Sequence, residues 1–197
     1  MIRATLALLL LTSAAQTQGV SLKITTPAGD EIACRDPRGR AAPCSGDIRP
    51  SAPIPHYAPT ENLEHLDVSA LGKATRTIDI AAYVLTDIPV IEALIAAGGR
   101  GVKVRVYRDG GGGFDPGATV REAQDRLRAA RNVEIRSKRG DGPYMHLKSY
   151  CVDGQTFRTG AANFSASGLK QQDNDLVFLG AEACAAFTRN FELMWRR

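Results

Sequence analysis

Histidines and aromatic rings are scarce in this 197-residue sequence: there are three histidines, and aromatics make up 6%. It holds no legible ladder of rings on which the bases of a single strand would stack. The four cysteines, Cys34, Cys44, Cys151 and Cys184, form no CxxC pair and stand at no zinc spacing from a histidine, which argues against a zinc site. No carboxylate cluster with metal-ligand spacing is present either. The glycine run after Asp109 lacks the Lys-Ser/Thr that completes a nucleotide P-loop, and it is expected to form a mobile rim. No internal repeat is visible. Beyond the first residues, no run is long and apolar enough to span a bilayer as a helix.

What is present is ordinary for a globular chain: 44% hydrophobic and 23% charged residues, with a net charge of +4. The mildly basic balance, with a pI near 9.0, suits a polyanionic partner without requiring one. The first residues, "MIRATLALLLLTSAAQTQG", read as a secretory leader: Arg3, an apolar stretch Ala4 to Leu11, then small residues. Cleavage is expected after Ala15, within a few residues. The mature chain is then exported, periplasmic or secreted, with no stable membrane insertion. In an oxidising compartment "CRDPRGRAAPC" reads as a loop closed by a Cys34–Cys44 disulfide. Whether Cys151 and Cys184 pair or stay as buried thiols is open at this stage.

Residues 16–56 read as an appendage, with a small hairpin around Pro27-Ala28-Gly29-Asp30 and a proline-rich linker. The main domain is expected over 57–197. There, helical patterns (Leu63, Leu66, Ala70, Leu71; Val90, Ile91, Leu94, Ile95; Val120, Ala123, Leu127) alternate with strand patterns in "TIDIAAYV", "GVKVRVYRD" and "NVEIRS". Strands over 147–153 and 156–159 meet at Asp153-Gly154, a hairpin signal. "NDLVFLG" is a further strand, and Glu182 to Trp195 a closing helix. The fold class is therefore α/β: a mixed sheet with helices on both faces and a small N-terminal β appendage.

One stretch concentrates chemistry: "MHLKSYCVDGQTFRTGAANFSASG", Met145 to Gly168. His146 and Lys148 are two apart and share a strand face, which Tyr150 and Val152 continue; Leu147 and Cys151 point the other way. The hairpin returns past 156–159, Gly160 permits a close approach, and Asn163 is delivered near the start of the first strand. An imidazole can act as nucleophile or as acid and base. An ammonium and an amide can hold an anionic oxygen. The combination suits phosphoryl transfer.

The spacing His146-x-Lys148-x4-Asp153-x6-Gly160-Ala161-x-Asn163 closely resembles the HxK(x4)D(x6)GSxN signature of the phospholipase D superfamily. "TIDIAAYVLTDIPVIEALIAAGGRGVKVRVYRD" is similar to that family's strand–helix–strand upstream of the motif. The resemblance covers most of residues 57–197 and implies a phospholipase D/nuclease-like α/β sandwich. It implies His146 as the histidine that attacks phosphorus, with Lys148 and Asn163 binding the phosphoryl oxygens. It also implies Asp153 as a structural turn residue, supported by Gly160 and Ala161. The family's acidic residue that orients the histidine is matched by Asp175, with Asp173 as runner-up. Ala161 departs from the usual serine, and Asp175 from a more usual glutamate.

The motif occurs once. The chemistry needs two histidines across one phosphate, so a homodimer is expected to supply both. His65, in a helical pattern, and His56, in the proline-rich segment, read as surface residues. Short single-motif members of the family resemble bacterial endonucleases. The expectation is thus an exported phosphodiesterase that needs no cofactor and no metal, acting on nucleic acid. Phospholipid headgroups are the alternative substrate, and an inactive phosphodiester-binding module is a third reading. Arg136 and Lys138 in "RSKRGDG", and Lys170 near the motif, are expected substrate contacts.

Overall fold

The computed structural model describes residues 53–110, 116–138 and 142–197, together with the backbone of two short strands near the N-terminus. Those strands, β1 (Cys34–Arg35) and β2 (Ala41–Ala42), pair antiparallel. They belong to a unit spanning Met1–Ser51, apart from the unit Ala52–Arg197. The ribbon falls inside the segment read from sequence as a plain loop. The leader, the hairpin around Pro27, the Cys34–Cys44 pairing and glycines 111–113 lie outside the described residues.

In the second unit, seven strands form one sheet in the order β3 (His56–Ala58), β9 (Asn174–Leu179), β8 (Thr156–Thr159), β7 (Lys148–Val152), β4 (Thr77–Ala82), β5 (Lys103–Arg108), β6 (Val133–Ser137). β4, β5 and β6 run parallel, while the pairings of β7, β8, β9 and β3 are antiparallel. The sheet is mixed because its two halves are joined differently. α2 (Ile88–Gly99) and α3 (Ala118–Ala129) cross between parallel neighbours. β7 and β8 are joined by a tight turn in which Asp153 (φ 55°) and Gly154 (φ 71°) both adopt the left-handed conformation. The helices start where local chemistry says they should. Asp87 caps α2 through Val90 N–H at 3.1 Å, with Pro89 in the first turn, and Asn62 caps α1 (Leu63–Gly72).

Helices cover both faces, as the sequence pattern implied. On one, α1 and α2 bring Leu63, Leu71, Val90, Ile91 and Leu94 against Ile78, Ile80, Val104, Val106 and Tyr150. On the other, α5 (Ala181–Trp195) sets Cys184, Phe187, Phe191 and Trp195 against Ala81, Tyr107 and Cys151. A disulfide joins Cys151 of β7 to Cys184 of α5, resolving the question the sequence left open. An ion network crosses the same face: Arg105 of β5 donates to Asp79 of β4 at 2.7 Å twice, and reaches Glu192 of α5 at 2.7 Å. No helix among the described residues is long and apolar enough to cross a membrane.

Two further elements escaped the sequence reading. β3 lies in the segment read as an extended linker, because its three residues sit between prolines. α4 (Ala166–Lys170) is one short turn, capped by Ser165.

Candidate active site

The segment before β7 carries His146 and is irregular. Two backbone bonds clamp it. Met145 N–H donates to Asp109 Oδ2 at 2.7 Å, and Tyr83 N–H donates to the Leu147 carbonyl at 2.8 Å. Asp109 follows β5 and Tyr83 follows β4, so the clamp stands at the carboxyl ends of the parallel strands. That is where open α/β sheets place their ligands. The Met145 side chain is buried towards α5, while His146 stays exposed, its ring centroid 4.4 Å from that of Tyr83.

Lys148 opens β7 and is only 7% exposed. Its Nζ donates to the His146 carbonyl at 2.8 Å and lies 3.0 and 3.1 Å from Nδ1 and Nε2 of the same ring. The ammonium also sits 4.8 Å from the Tyr83 ring centroid, a cation–π contact. Burial pulls the Lys148 pKa down. His146 itself precedes the strand, which starts one residue later than the sequence pattern placed it.

Asn163 arrives from the far end of the hairpin. Its Oδ1 is buried without a protein partner, an uncommon condition that marks it for a ligand or water. The next residue, Phe164, accepts through its carbonyl from Thr86 N–H at 2.8 Å and Asp87 N–H at 2.9 Å. Thus one five-residue segment, 83–87, is bonded to Leu147 at one end and Phe164 at the other. It holds the two halves of the motif to a common frame.

Beneath them lies a buried network that the sequence reading missed. Arg158 of β8 is fully buried and makes a two-pronged pair with Asp67 of α1, with Nε–Oδ1 and Nη2–Oδ2 both at 3.0 Å. Its Nη1 donates to the carbonyls of Lys148 at 2.7 Å and Ala162 at 3.1 Å. Tyr150 O–H donates to Asp67 Oδ1 at 2.9 Å, and Phe164 packs under the guanidinium. Arg158 therefore ties the backbone beside Lys148 to the backbone beside Asn163. An arginine in a short strand, paired across the hairpin with Tyr150, was the available signal.

The other candidates fall into distinct places. Asp153 stands at the far end of β7 from His146. Its carboxylate accepts from Thr75 N–H and O–H, Arg76 N–H and Thr77 N–H at 2.8–2.9 Å, tying the hairpin to the start of β4. Partial burial opposes ionisation there, but those donors outweigh it and take the pKa from 3.8 to about 2. Because the folded value is the lower one, the stabilisation is present above about pH 4 and lost as pH falls through 2. Asp153→Asn, which accepts fewer of these bonds, is expected to cost about 1 kcal/mol after solvent screening. The loss should show as a lower thermal midpoint at pH 7 that converges with the parent near pH 2.

Gly160 (φ 148°) is fixed by space as well as conformation: a Cβ there would lie 2.4 Å from the Asp175 carbonyl. Asp175 Oδ1 accepts from Ala161 N–H at 3.1 Å, and its carbonyl accepts from Ala162 N–H. It thus shapes the Gly160–Asn163 turn; no contact joins it to the His146 ring among the described residues. Asp173 is exposed.

Lys170 donates to Glu64 and lies 3.9 Å from Asp87, so carboxylates already occupy its charge. Burial first, and Glu64 beside it, lift Asp87 to about 6. Arg136 donates to Glu134 and to the Trp195 carbonyl at 2.8 Å. Lys138 lines the cavity that holds His146. His65 is exposed on α1, and His56 pairs with Glu61 at 2.8 Å. No group of three or more His, Cys, Asp or Glu side chains is arranged for a metal among the described residues.

Fold and site together define a domain of the phospholipase D superfamily. The chain belongs to the family described as "Cardiolipin synthase, PLD-like domain", whose model matches residues 68–195. Mitochondrial cardiolipin hydrolase from Chlamydomonas reinhardtii is 25% identical over 140 residues, covering 71% of this chain and 59% of that protein. Phospholipase D from Rickettsia conorii is 27% identical over 136 residues, covering 68% and 65%. The chain therefore spans less than two thirds of either relative. Among solved structures, Nuc from Salmonella typhimurium, a phospholipase D family member, superposes with a TM-score of 0.65 at 25% identity. That match covers 74% of this chain and 94% of Nuc.

Proposed function

We propose that this protein is an exported, metal-independent phosphodiesterase that works as a homodimer and cleaves DNA or RNA without sequence preference. The observation that carries the chemistry is an exposed imidazole with a buried ammonium against it, His146 and Lys148, together with the Oδ1 of Asn163, buried without a protein partner. One ring nitrogen of His146 attacks phosphorus. A phosphorus–oxygen ester bond breaks, and the leaving oxygen takes a proton from the partner subunit's His146. Water then attacks the phosphohistidine, giving its proton to that second imidazole, and the phosphorus–nitrogen bond breaks. Lys148 and Asn163 neutralise and orient the non-bridging oxygens. The Cys151–Cys184 disulfide suits an oxidising compartment such as the periplasm or the exterior.

A second reading, cleavage of phospholipid headgroups, is favoured by the names of the hydrolase and phospholipase relatives. Plasmid DNA, RNA and vesicles of phosphatidylcholine and cardiolipin, each assayed with purified protein in EDTA, separate the two. The expected result is cleavage of nucleic acid that persists in EDTA. Turnover confined to vesicles would establish the second reading, and loss on chelation with recovery on a divalent cation would remove the covalent-histidine mechanism.

A further inference from the structure

Six cations of this domain gather in one place. A groove of about 790 Å³ is walled by Arg108, Arg128, Arg136, Lys138, Arg196 and Arg197. They come from the ends of β5 and β6, the last turn of α3 and the residues just after α5. Among the described residues, three carboxylates answer these six charges: Asp125 pairs with Arg128, Glu134 with Arg136, and Glu192 stands 3.9 Å from Arg196. Among the described residues, Arg108, Lys138 and Arg197 have no ion-pair partner in this wall. Arg108 is half-buried, and both burial and the neighbouring Arg128 work against its charge. Like charges converging on one groove are relieved by an anion between them.

The groove leads to the catalytic histidine. It shares Tyr107, Lys138 and Arg197 with a second cavity of about 640 Å³, which holds His146. That second cavity is more apolar, with Pro143, Tyr144, Leu147 and Met194 in its wall, and Tyr144 is 67% exposed. A phosphate seated at His146 therefore has an apolar surface beside it and a line of cations beyond. A lipid headgroup brings a single phosphodiester region at a bilayer surface and has nothing to place along a recessed basic groove. A polymer of phosphodiesters places one anion after another along it.

We propose that this groove is the bed of a nucleic-acid strand, holding phosphates next to the scissile one while His146 acts on the latter. The inference rests on the phosphodiesterase reading of His146 and assigns that site its substrate class. Arg128 and Arg196 then act on binding of a polymer and not on the bond-breaking step.

The test uses Arg128→Gln/Arg196→Gln, at two positions that line the groove and not the cavity of His146. Both side chains are exposed. Arg136 is left intact because it also holds the Trp195 carbonyl. Binding of a fluorescein-labelled 20-nucleotide single-stranded DNA is followed by anisotropy on a His146→Ala background across a salt series. Two lost phosphate contacts should weaken binding about tenfold and reduce the salt slope by about 1.4, at roughly 0.7 per contact. Arg128→Lys/Arg196→Lys should restore both. With His146 present, hydrolysis of bis(p-nitrophenyl) phosphate, too short to reach the groove, should be unchanged. Unaltered affinity and slope overturn the inference, and so does an equal loss on the small diester. A defect confined to cardiolipin vesicles also overturns it and assigns the groove to a lipid surface. If the parent protein fails to hydrolyse the small diester, the earlier phosphodiesterase reading falls instead.

Discussion

Replacing His146 with alanine is expected to lower turnover by at least about 10⁴-fold while leaving the thermal midpoint within a degree or two. The ring is exposed, and the backbone of the segment that carries it is bonded to the Asp109 carboxylate and the Tyr83 N–H, contacts that alanine retains. The sharper form of the prediction concerns mixed dimers. One imidazole cannot attack phosphorus and protonate the leaving oxygen opposite it in the same step. A dimer built from one parent and one His146→Ala subunit lacks either the attacker or the acid, whichever way the substrate lies. Differently tagged subunits, purified as the mixed species and assayed in single turnover, should show close to no cleavage. Retention of about half the parent rate would mean two independent sites and would end the shared-site model.

The second large effect is on stability. Asp67→Ala is expected to cost about 3–5 kcal/mol, because it leaves the fully buried Arg158 guanidinium without its counter-charge. At roughly 2–4 °C per kcal/mol for a domain of this size, the thermal midpoint should fall by on the order of 10 °C. Burial raises the Asp67 pKa against the pull of Arg158, and burial also keeps the Tyr150 phenol a neutral donor. The pair is therefore balanced, not surplus, so Asp67→Leu/Arg158→Met should be less damaging to the fold than either single change. Activity should not recover with it. The double variant still lacks the guanidinium that bridges the carbonyls of Lys148 and Ala162. A double variant with parental turnover would show that this bridge does not position the site.

The elements of the domain were legible in the chain to different degrees. α2 and α5 announce themselves through apolar spacing, with Asp87 and Pro89 marking where α2 begins. The Asp153-Gly154 turn is equally local, since only a few residue types accept two successive left-handed positions. "TIDIAAYV" reads as an alternating strand, yet Ile78 to Ala82 are all buried. The sheet is covered on both sides, and Asp79 is tolerated inside because Arg105 reaches it from β5. β3 was not legible: its only stabilising register is with β9, more than a hundred residues away.

The same division runs through the site. The sequence alone singled out the residues proposed to carry the chemistry, because a fixed spacing of His146, Lys148, Asp153, Gly160 and Asn163 along one hairpin is a local property of the chain. It also determined that a monomer holds one copy of that motif. Only the tertiary structure decided what surrounds it. The 83–87 segment that joins the two halves of the motif, the Arg158–Asp67 pair beneath them, the Glu64 partner that occupies Lys170 and the groove walled by Arg108, Arg128 and Arg196 all join residues distant in sequence. Such contacts form when sheet order and helix packing bring remote side chains together. No window of the sequence contains both partners of an ion pair 91 residues apart, so Arg158 reads as an ordinary strand residue until the fold places Asp67 against it.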